Sequence, residues 1–186
     1  MNSTWNAQFG ELSNATVKTI INTGWSHPIQ RHGKDEEVTN GISRSSTNTY
    51  IDLLEEPELK DLLWHYVHTH NKNFYNFDLT DLESPQFAVY NEGNHYQWHQ
   101  DMYLNEIFPD MFHRKLSMTI QLSDGDDYEG GDLEIGDSTW AEYDKELFRQ
   151  KGTIITFPSF MKHRITPVTK GERMSLVVAV DGPKFR

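Results

Sequence analysis

Lys115-Leu-Ser-Met-Thr-Ile-Gln-Leu-Ser123 alternates apolar and polar side chains along its whole length. A period of two is that of a β-strand with one face against a core, so this stretch predicts a strand. Further strand candidates, separated by turns containing Gly, Asp or Pro, lie at 87–91, 132–135, 153–157, 163–168 and 173–180. Short strands of this kind favour an antiparallel sandwich or barrel.

The first part of the chain has the period of a helix. Ser13 is a candidate N-cap, and the spacing of Val17 and Ile20 predicts a helix that ends at Gly24. A second helix is predicted to begin at Pro57. Its apolar stripe consists of Leu59, Leu62, Leu63, Tyr66 and Val67.

The stretch between these helices, 26–40, contains Pro28, Gly33 and a run of charges, and it predicts a loop. We therefore expect a single α+β domain over 1–186. Helices would support it over about 11–80, and the β core would cover about 85–182.

Composition excludes several classes of protein. The 186 residues include no cysteine, which removes disulfides and thiolate chemistry. The net charge of -11 disfavours nucleic acid and anionic membranes as partners. The N-terminus lacks a basic start followed by an apolar run, so we expect no signal peptide and a cytoplasmic location. We also expect a monomer or weak dimer.

The first candidate for chemistry is Trp98-His-Gln-Asp101. In a strand, side chains two apart point to the same side, so His99 and Asp101 could bind one ion together. One imidazole and one carboxylate are two of the three ligands in the facial triad of non-haem iron(II) oxygenases. A surface histidine beside a solvated aspartate would give the same pattern.

The second candidate follows an apolar strand, Thr153-Ile-Ile-Thr-Phe157, and a proline turn. His163 enters the next strand there, and Arg173-Met-Ser175 follows ten residues later. A guanidinium can bind the distal carboxylate of a dicarboxylate co-substrate in a bidentate manner. Ser175 would point the same way as Arg173 and add a hydroxyl donor.

These residues resemble the 2-oxoglutarate–iron(II) oxygenases, and among them the prolyl 4-hydroxylase-like branch. The resemblance covers roughly Arg44 to Asp181. It rests on Arg44-Ser-Ser, Phe87–Asn91, His99-Gln-Asp101, Leu116–Ser123, Tyr128-Glu-Gly-Gly-Asp-Leu-Glu134, and Phe157-Pro through His163 to Arg173-Met-Ser175.

The resemblance implies a double-stranded β-helix, or jelly-roll. It places iron on His99, Asp101 and His163 and the 2-oxoglutarate C5 carboxylate on Arg173, with Tyr90 lining the co-substrate pocket. It departs from the oxygen-sensing relatives at Gln121, where those have a tyrosine bonded to the co-substrate. Collagen-type relatives have Lys in place of the arginine.

The chemistry implied is hydroxylation of an unactivated C–H bond, of a prolyl residue in a peptide or protein. The co-substrates would be 2-oxoglutarate and O2, the products succinate and CO2, and ascorbate a supporting reductant. Halogenating relatives have a small residue in place of the carboxylate, so Asp101 favours hydroxylation.

Substrate choice depends on less specific residues. Tyr96, Trp98 and Tyr103 are candidates to contact a substrate. An acidic turn could join them in selecting basic or proline-containing peptides, or it could simply be a solvated hairpin loop. Its acids are Asp124, Asp126, Asp127, Glu129 and Asp132.

Three other functional hypotheses are consistent with part of the pattern. A small-molecule or free amino-acid hydroxylase would keep every motif. A non-catalytic cupin-like metal-binding module would not need Arg173 and Ser175. An AlkB-like nucleic-acid demethylase would have a second arginine where Ala179 stands.

Three other histidines lie on or near the end of the second predicted helix: His65, His68 and His70. We interpret them as solvated, or as compensating the dipole of that helix.

Overall fold

A computed structural model describes residues 5–31, 37–39, 41–102, 113–136 and 145–184 of the chain. The predicted contact residue Tyr103 lies outside them. The helices are α1 (Asn14–Ser26), α2 (Pro57–His70) and α3 (Lys145–Arg149). A π-helical turn, Asn71–Tyr75, continues α2, and a 3-10 turn spans Gly125–Asp127.

The strands form a large and a smaller antiparallel sheet plus a separate two-stranded ladder. In chain order they are β1 (Asn6–Gln8), β2 (Ile29–Arg31), β3 (Glu37–Thr39), β4 (Ile42–Ser45), β5 (Thr47–Tyr50), β6 (Asp81–Leu82), β7 (Gln86–Tyr90), β8 (His95–His99), β9 (His113–Gln121), β10 (Tyr128–Gly130), β11 (Leu133–Ile135), β12 (Ile154–Pro158), β13 (His163–Ile165), β14 (Val168–Gly171) and β15 (Arg173–Gly182).

The large sheet has the order β1-β12-β9-β15-β7-β5-β2, with β6 paired to β15, and the smaller sheet has the order β11-β13-β8-β4-β3. The ladder consists of β10 and β14. Two sheets built from strands that alternate between them give the expected jelly-roll-type core, with helices added.

β9, the strand with alternating apolar and polar residues, is buried on both faces. Leu116, Met118 and Ile120 of β9 lie in the main hydrophobic core together with residues of α1 and α2. Ser117 and Thr119, on the other face, are buried as well. The polar half of the alternation therefore faces the interior between the sheets and not solvent.

The helices begin where the sequence predicted. Ser13 caps α1, since its Oγ accepts the Thr16 backbone N–H at 3.1 Å, and Pro57 opens α2. No described helix has the length and apolarity needed to cross a membrane.

Three predictions about the first part of the chain are wrong. The stretch 26–40 contains both β2 and β3, because β2 pairs with β5 and β3 with β4. Each of these strands has only 3 residues, too few to show a period of two in the sequence. His70 is fully buried rather than solvated, with Nδ1 2.8 Å from Thr156 Oγ1 and Nε2 2.7 Å from Gln8 Oε1.

Gly24 does not end α1, which continues to Ser26. It is buried, and a Cβ built there would lie 2.4 Å from Cγ of the Phe87 side chain. Phe87 is itself fully buried in the large sheet. Glycine is thus required by the close approach of the helix to the sheet and not by helix termination.

Gly24→Ala should therefore destabilise the protein although alanine is the better helix former. We expect a loss of about 1–2 kcal/mol in the free energy of unfolding, the overpacking cost reduced by the propensity gain. Urea unfolding measures it, with Asn22→Ala on the exposed side of the same helix as the control. A stability equal to or above that of the parent would contradict this packing.

Candidate active site

Three potential metal ligands converge between the sheets. The Nε2 atoms of His99 and His163 each lie 3.6 Å from a carboxylate oxygen of Asp101, and the three ligand atoms lie within 4.8 Å of one another. These separations allow one ion to bind all three side chains. Two imidazoles and one carboxylate are the donor set of a non-haem iron(II) site.

Both imidazoles are held with the same nitrogen facing Asp101. His99 Nδ1 donates to the Gln97 carbonyl at 2.8 Å, and His163 Nδ1 donates to the Met161 carbonyl at 3.0 Å. A proton on Nδ1 leaves the Nε2 lone pair for a metal.

Strand register accounts for this convergence. His163 of β13 is directly paired with His99 of β8. The next pair joins Ile165 to Tyr96, so β8 carries one extra residue at a bulge. Because the bulge resets the alternation, Tyr96 and His99 face the same side, and their rings stack at 3.5 Å between centroids.

A relay of hydroxyls orients the Asp101 carboxylate. Ser117 Oγ of β9 donates to Asp101 Oδ2 at 2.6 Å and lies 2.9 Å from Ser159 Oγ. The Ser159 carbonyl accepts the backbone N–H of Asp101 at 3.0 Å. Because both serines are fully buried, the carboxylate is held from β9 and from the turn after β12.

The electrostatics keep two of the three donors, His99 and Asp101, in the protonation states that a metal requires. Burial, together with the neighbouring His163, lowers the pKa of His99 to about 4 against the opposing effect of Asp101. Burial alone would raise the pKa of Asp101, but His163, His99 and Ser117 hold it below its usual value. At neutral pH His99 is therefore neutral and Asp101 is ionised.

A cavity of about 310 Å³ contains all three side chains. Its polar and charged lining includes Arg31, Arg44, Tyr50, Glu83, Gln86, Tyr90, Tyr96, Arg114, Thr119, Arg173 and Ser175. Its apolar lining includes Ile42, Leu133, Ile165 and Val177.

Arg173 is the buried cation that the sequence predicted for a co-substrate carboxylate. It is 2 % exposed and lies in β15, where Nη1 donates to Ser175 Oγ at 3.2 Å. Its paired residue on β7 is Tyr90, whose ring centre lies 5.6 Å from the guanidinium carbon. Among the described side chains no carboxylate pairs with Arg173, so an anionic ligand would complete its site.

Tyr128, to which the sequence assigns no role, lies between Gln121 and Arg173. Gln121 does not line the cavity; its Nε2 donates to the Tyr128 hydroxyl at 2.9 Å. Burial raises the pKa of Tyr128, while Arg173, to which the hydroxyl is hydrogen-bonded, opposes that rise. Tyr128 thus holds the guanidinium, and Gln121 holds Tyr128.

The diglycine after Tyr128 was a usable signal for this contact. Gly131 has a φ of +62°, and a Cβ there would lie 3.2 Å from Arg173 Cδ and 3.3 Å from the Tyr128 ring. Only glycine lets the backbone pass this close to both side chains.

Of the two predicted substrate contacts that the structure describes, one lines the cavity and the other does not. Tyr96 lines the cavity, whereas Trp98 does not; it is 37 % exposed, with the Arg164 guanidinium 4.9 Å from its ring centre. None of the acids of the turn lines the cavity. Asp132 accepts from Arg149 at 2.9 Å and from Lys145 at 3.3 Å.

Residues 85–180, more than half of the chain, match the family model of the 2OG-Fe(II) oxygenase superfamily. The chain belongs to this superfamily. It is 34 % identical over 146 residues to a PKHD-type hydroxylase of Nitrosomonas europaea, covering 74 % of this chain and 63 % of that protein. A PKHD-type hydroxylase of Alteromonas mediterranea is 37 % identical over 95 residues, which are 50 % of this chain and 41 % of that protein. The chain thus spans less than two thirds of either relative.

Two solved structures share the fold of this superfamily member. The viral collagen prolyl hydroxylase of Paramecium Bursaria Chlorella virus-1 superposes with a TM-score of 0.70 at 17 % identity, covering 97 % of both chains. A Pseudomonas putida prolyl-4-hydroxylase superposes with a TM-score of 0.70 at 20 % identity, covering 97 % of this chain and 93 % of that one. These likenesses confirm the predicted jelly-roll-type core.

Ser117→Ala should weaken metal binding without removing a ligand. Loss of a partner of this kind lowers metal affinity by about 10–100-fold, because the carboxylate is no longer oriented. Anaerobic titration with Fe(II) measures the dissociation constant, and Ser117→Thr, which keeps the hydroxyl, is the matched variant. Equal affinity of Ser117→Ala and the parent would mean that the relay does not position Asp101.

Proposed function

We propose that the protein is an Fe(II)- and 2-oxoglutarate-dependent dioxygenase that hydroxylates an unactivated C–H bond, with His99, Asp101 and His163 as the iron ligands. The observation that carries this proposal is a buried His-Asp-His cluster sharing one cavity with an arginine that has no described carboxylate partner. A cupin-like binding module would not need that buried cation.

The residues of the chain divide the work between binding and orientation. Two imidazoles, of which that of His99 is neutral, and an ionised carboxylate supply the donor set of a three-ligand iron site. Iron with 2-oxoglutarate and O2 would supply the oxidising power for hydroxylation, with release of succinate and CO2. Arg173 would bind the distal carboxylate of 2-oxoglutarate, and Ser175 would add a hydroxyl donor beside it.

Packing around this centre would limit the access of water. The Tyr96 ring covers His99, and the Phe157 ring lies 4.7 Å from His163 between centroids. Ile165 and Val177 add apolar surface to the cavity. Partial exclusion of water at the metal cluster would keep the reaction at the bound substrate.

For the substrate we propose a prolyl residue in a peptide or protein. The names of the solved neighbours, a collagen prolyl hydroxylase and a prolyl-4-hydroxylase, support this class. Tyr50 and Tyr96 give the cavity aromatic faces that a pyrrolidine ring could pack against.

The test of the iron and co-substrate roles is an anaerobic titration. Fe(II) and 2-oxoglutarate together should produce a metal-to-ligand charge-transfer band, and Asp101→Ala should abolish it. Arg173→Met should weaken 2-oxoglutarate binding by about 100-fold or more, the effect of removing one partner of a buried charge pair. Arg164→Met, which alters an arginine outside the cavity, is the control, and absence of the band in the parent would refute the proposal.

The prolyl assignment has its own test. Succinate release is measured with a panel of proline-containing peptides and with matched peptides in which alanine replaces proline. Release that depends on proline is expected. Succinate formed equally with both sets would keep the oxygenase and remove the prolyl assignment.

A further inference from the structure

The cavity contains a second buried guanidinium that the roles above do not use. Arg44 is 9 % exposed and lines the cavity from β4 of the smaller sheet, whereas Arg173 enters from β15 of the large sheet. Its guanidinium carbon lies 4.5 Å from the centre of the Tyr96 ring, which in turn stacks on His99. Arg44 is therefore close to the proposed iron centre.

The partners of Arg44 are all uncharged. Nε donates to Ser46 Oγ at 2.8 Å, and Nη2 donates to Asn48 Oδ1 at 2.9 Å and to Gln86 Oε1 at 2.6 Å. Tyr90, which is also uncharged, is a further hydrogen-bonding partner of the guanidinium. The contacts fix the plane of the guanidinium across β4, β5 and β7 but leave its charge uncompensated by any described side chain.

The carboxylates that line the cavity are already engaged elsewhere. Glu83 and Asp101 are the carboxylates of the described lining. Glu83 accepts both Nε and Nη2 of Arg114 at 2.5 Å, and Asp101 belongs to the metal cluster. Arg31 adds a further positive side chain to the lining.

A buried charge of this kind calls for a counter-ion. Burial would lower the pKa of Arg44, but Tyr90, Tyr96 and Tyr50 shift it upward, so the group stays cationic. Burying a cation without a counter-ion costs desolvation free energy. An anion that binds beside the cation offsets this cost. A carboxylate fits best, because a planar guanidinium binds it through paired hydrogen bonds.

We propose that Arg44 binds a carboxylate of the substrate, which makes this enzyme selective for an acidic molecule or segment. The proposal rests on the proposed function and specifies its substrate class. The carboxylate belongs either to a small molecule or to an Asp or Glu side chain next to the hydroxylated residue. In both cases the cavity favours the opposite charge from the basic peptides that the acidic turn suggested.

Two ligand pairs that differ in one charge test this. N-acetyl-L-proline and N-acetyl-L-prolinamide represent the small molecule, and Ac-Pro-Glu-NH2 and Ac-Pro-Gln-NH2 represent the peptide. Each is titrated anaerobically into the enzyme loaded with Fe(II) and 2-oxoglutarate, with calorimetry and the perturbation of the charge-transfer band as readouts. The acid of at least one pair should bind about 10-fold or more tightly than its amide, and the pair that responds identifies the source.

Variants assign the preference to the residue. Arg44→Gln should abolish the preference for the acid, and Arg44→Lys should keep part of it. Arg164→Gln, which removes an arginine paired with Glu134 outside the cavity, should leave it intact. Retention of the charge-transfer band by Arg44→Gln shows that the variant is folded and loaded.

Several outcomes would overturn the proposal. Equal affinity for acid and amide in both pairs, tighter binding of the amides, or no binding of any of the four ligands would do so, and these need only the parent protein. A preference unchanged in Arg44→Gln would also do so. Absence of the charge-transfer band before any ligand is added would instead refute the proposed function, so the two failures are distinguishable.

Discussion

The antiparallel pairing of β8 with β13 places His163 opposite His99, and the geometry of the whole site depends on that register. A shift by one residue would turn one imidazole to the other face of the sheet. The bulge in β8 then brings Tyr96 to the same side as His99, while hydrogen bonds to the Gln97 and Met161 carbonyls fix both rings. Backbone pairing and these hydrogen bonds thus position the side chains of the site.

β9 contributes one face to the hydrophobic core and the other face to the candidate metal site. Its apolar face packs against the helices, and its polar face carries Ser117 toward Asp101 and Thr119 toward the cavity. The same strand therefore supports the core and the metal cluster. A core substitution that shifted β9 would therefore alter the site even though it replaced none of the functional residues.

Features that depend on residues close together in the sequence could be predicted from it. The Ser13 cap, the start of α2 at Pro57, and the order of His99, Asp101, His163 and Arg173 were readable from sequence, as was the jelly-roll class through resemblance. Contacts between distant segments were not. Gly24 is predicted as a helix end because the sequence does not show its contact with Phe87 of β7, and the bond between Tyr128 and Arg173 joins segments that are distant in the sequence.

The ligands come from the end of β8 and from the start of β13, which are 64 positions apart as His99 and His163. A single ion held by both strands would be a reversible cross-link across the smaller sheet, and it would stabilise the native state, in which these ligands lie together. Occupancy would then slow local opening of these strands, so their amide hydrogens would exchange with solvent at a rate set by metal supply. In a chain without cysteine, such an ion would link distant segments as a disulfide does in other proteins.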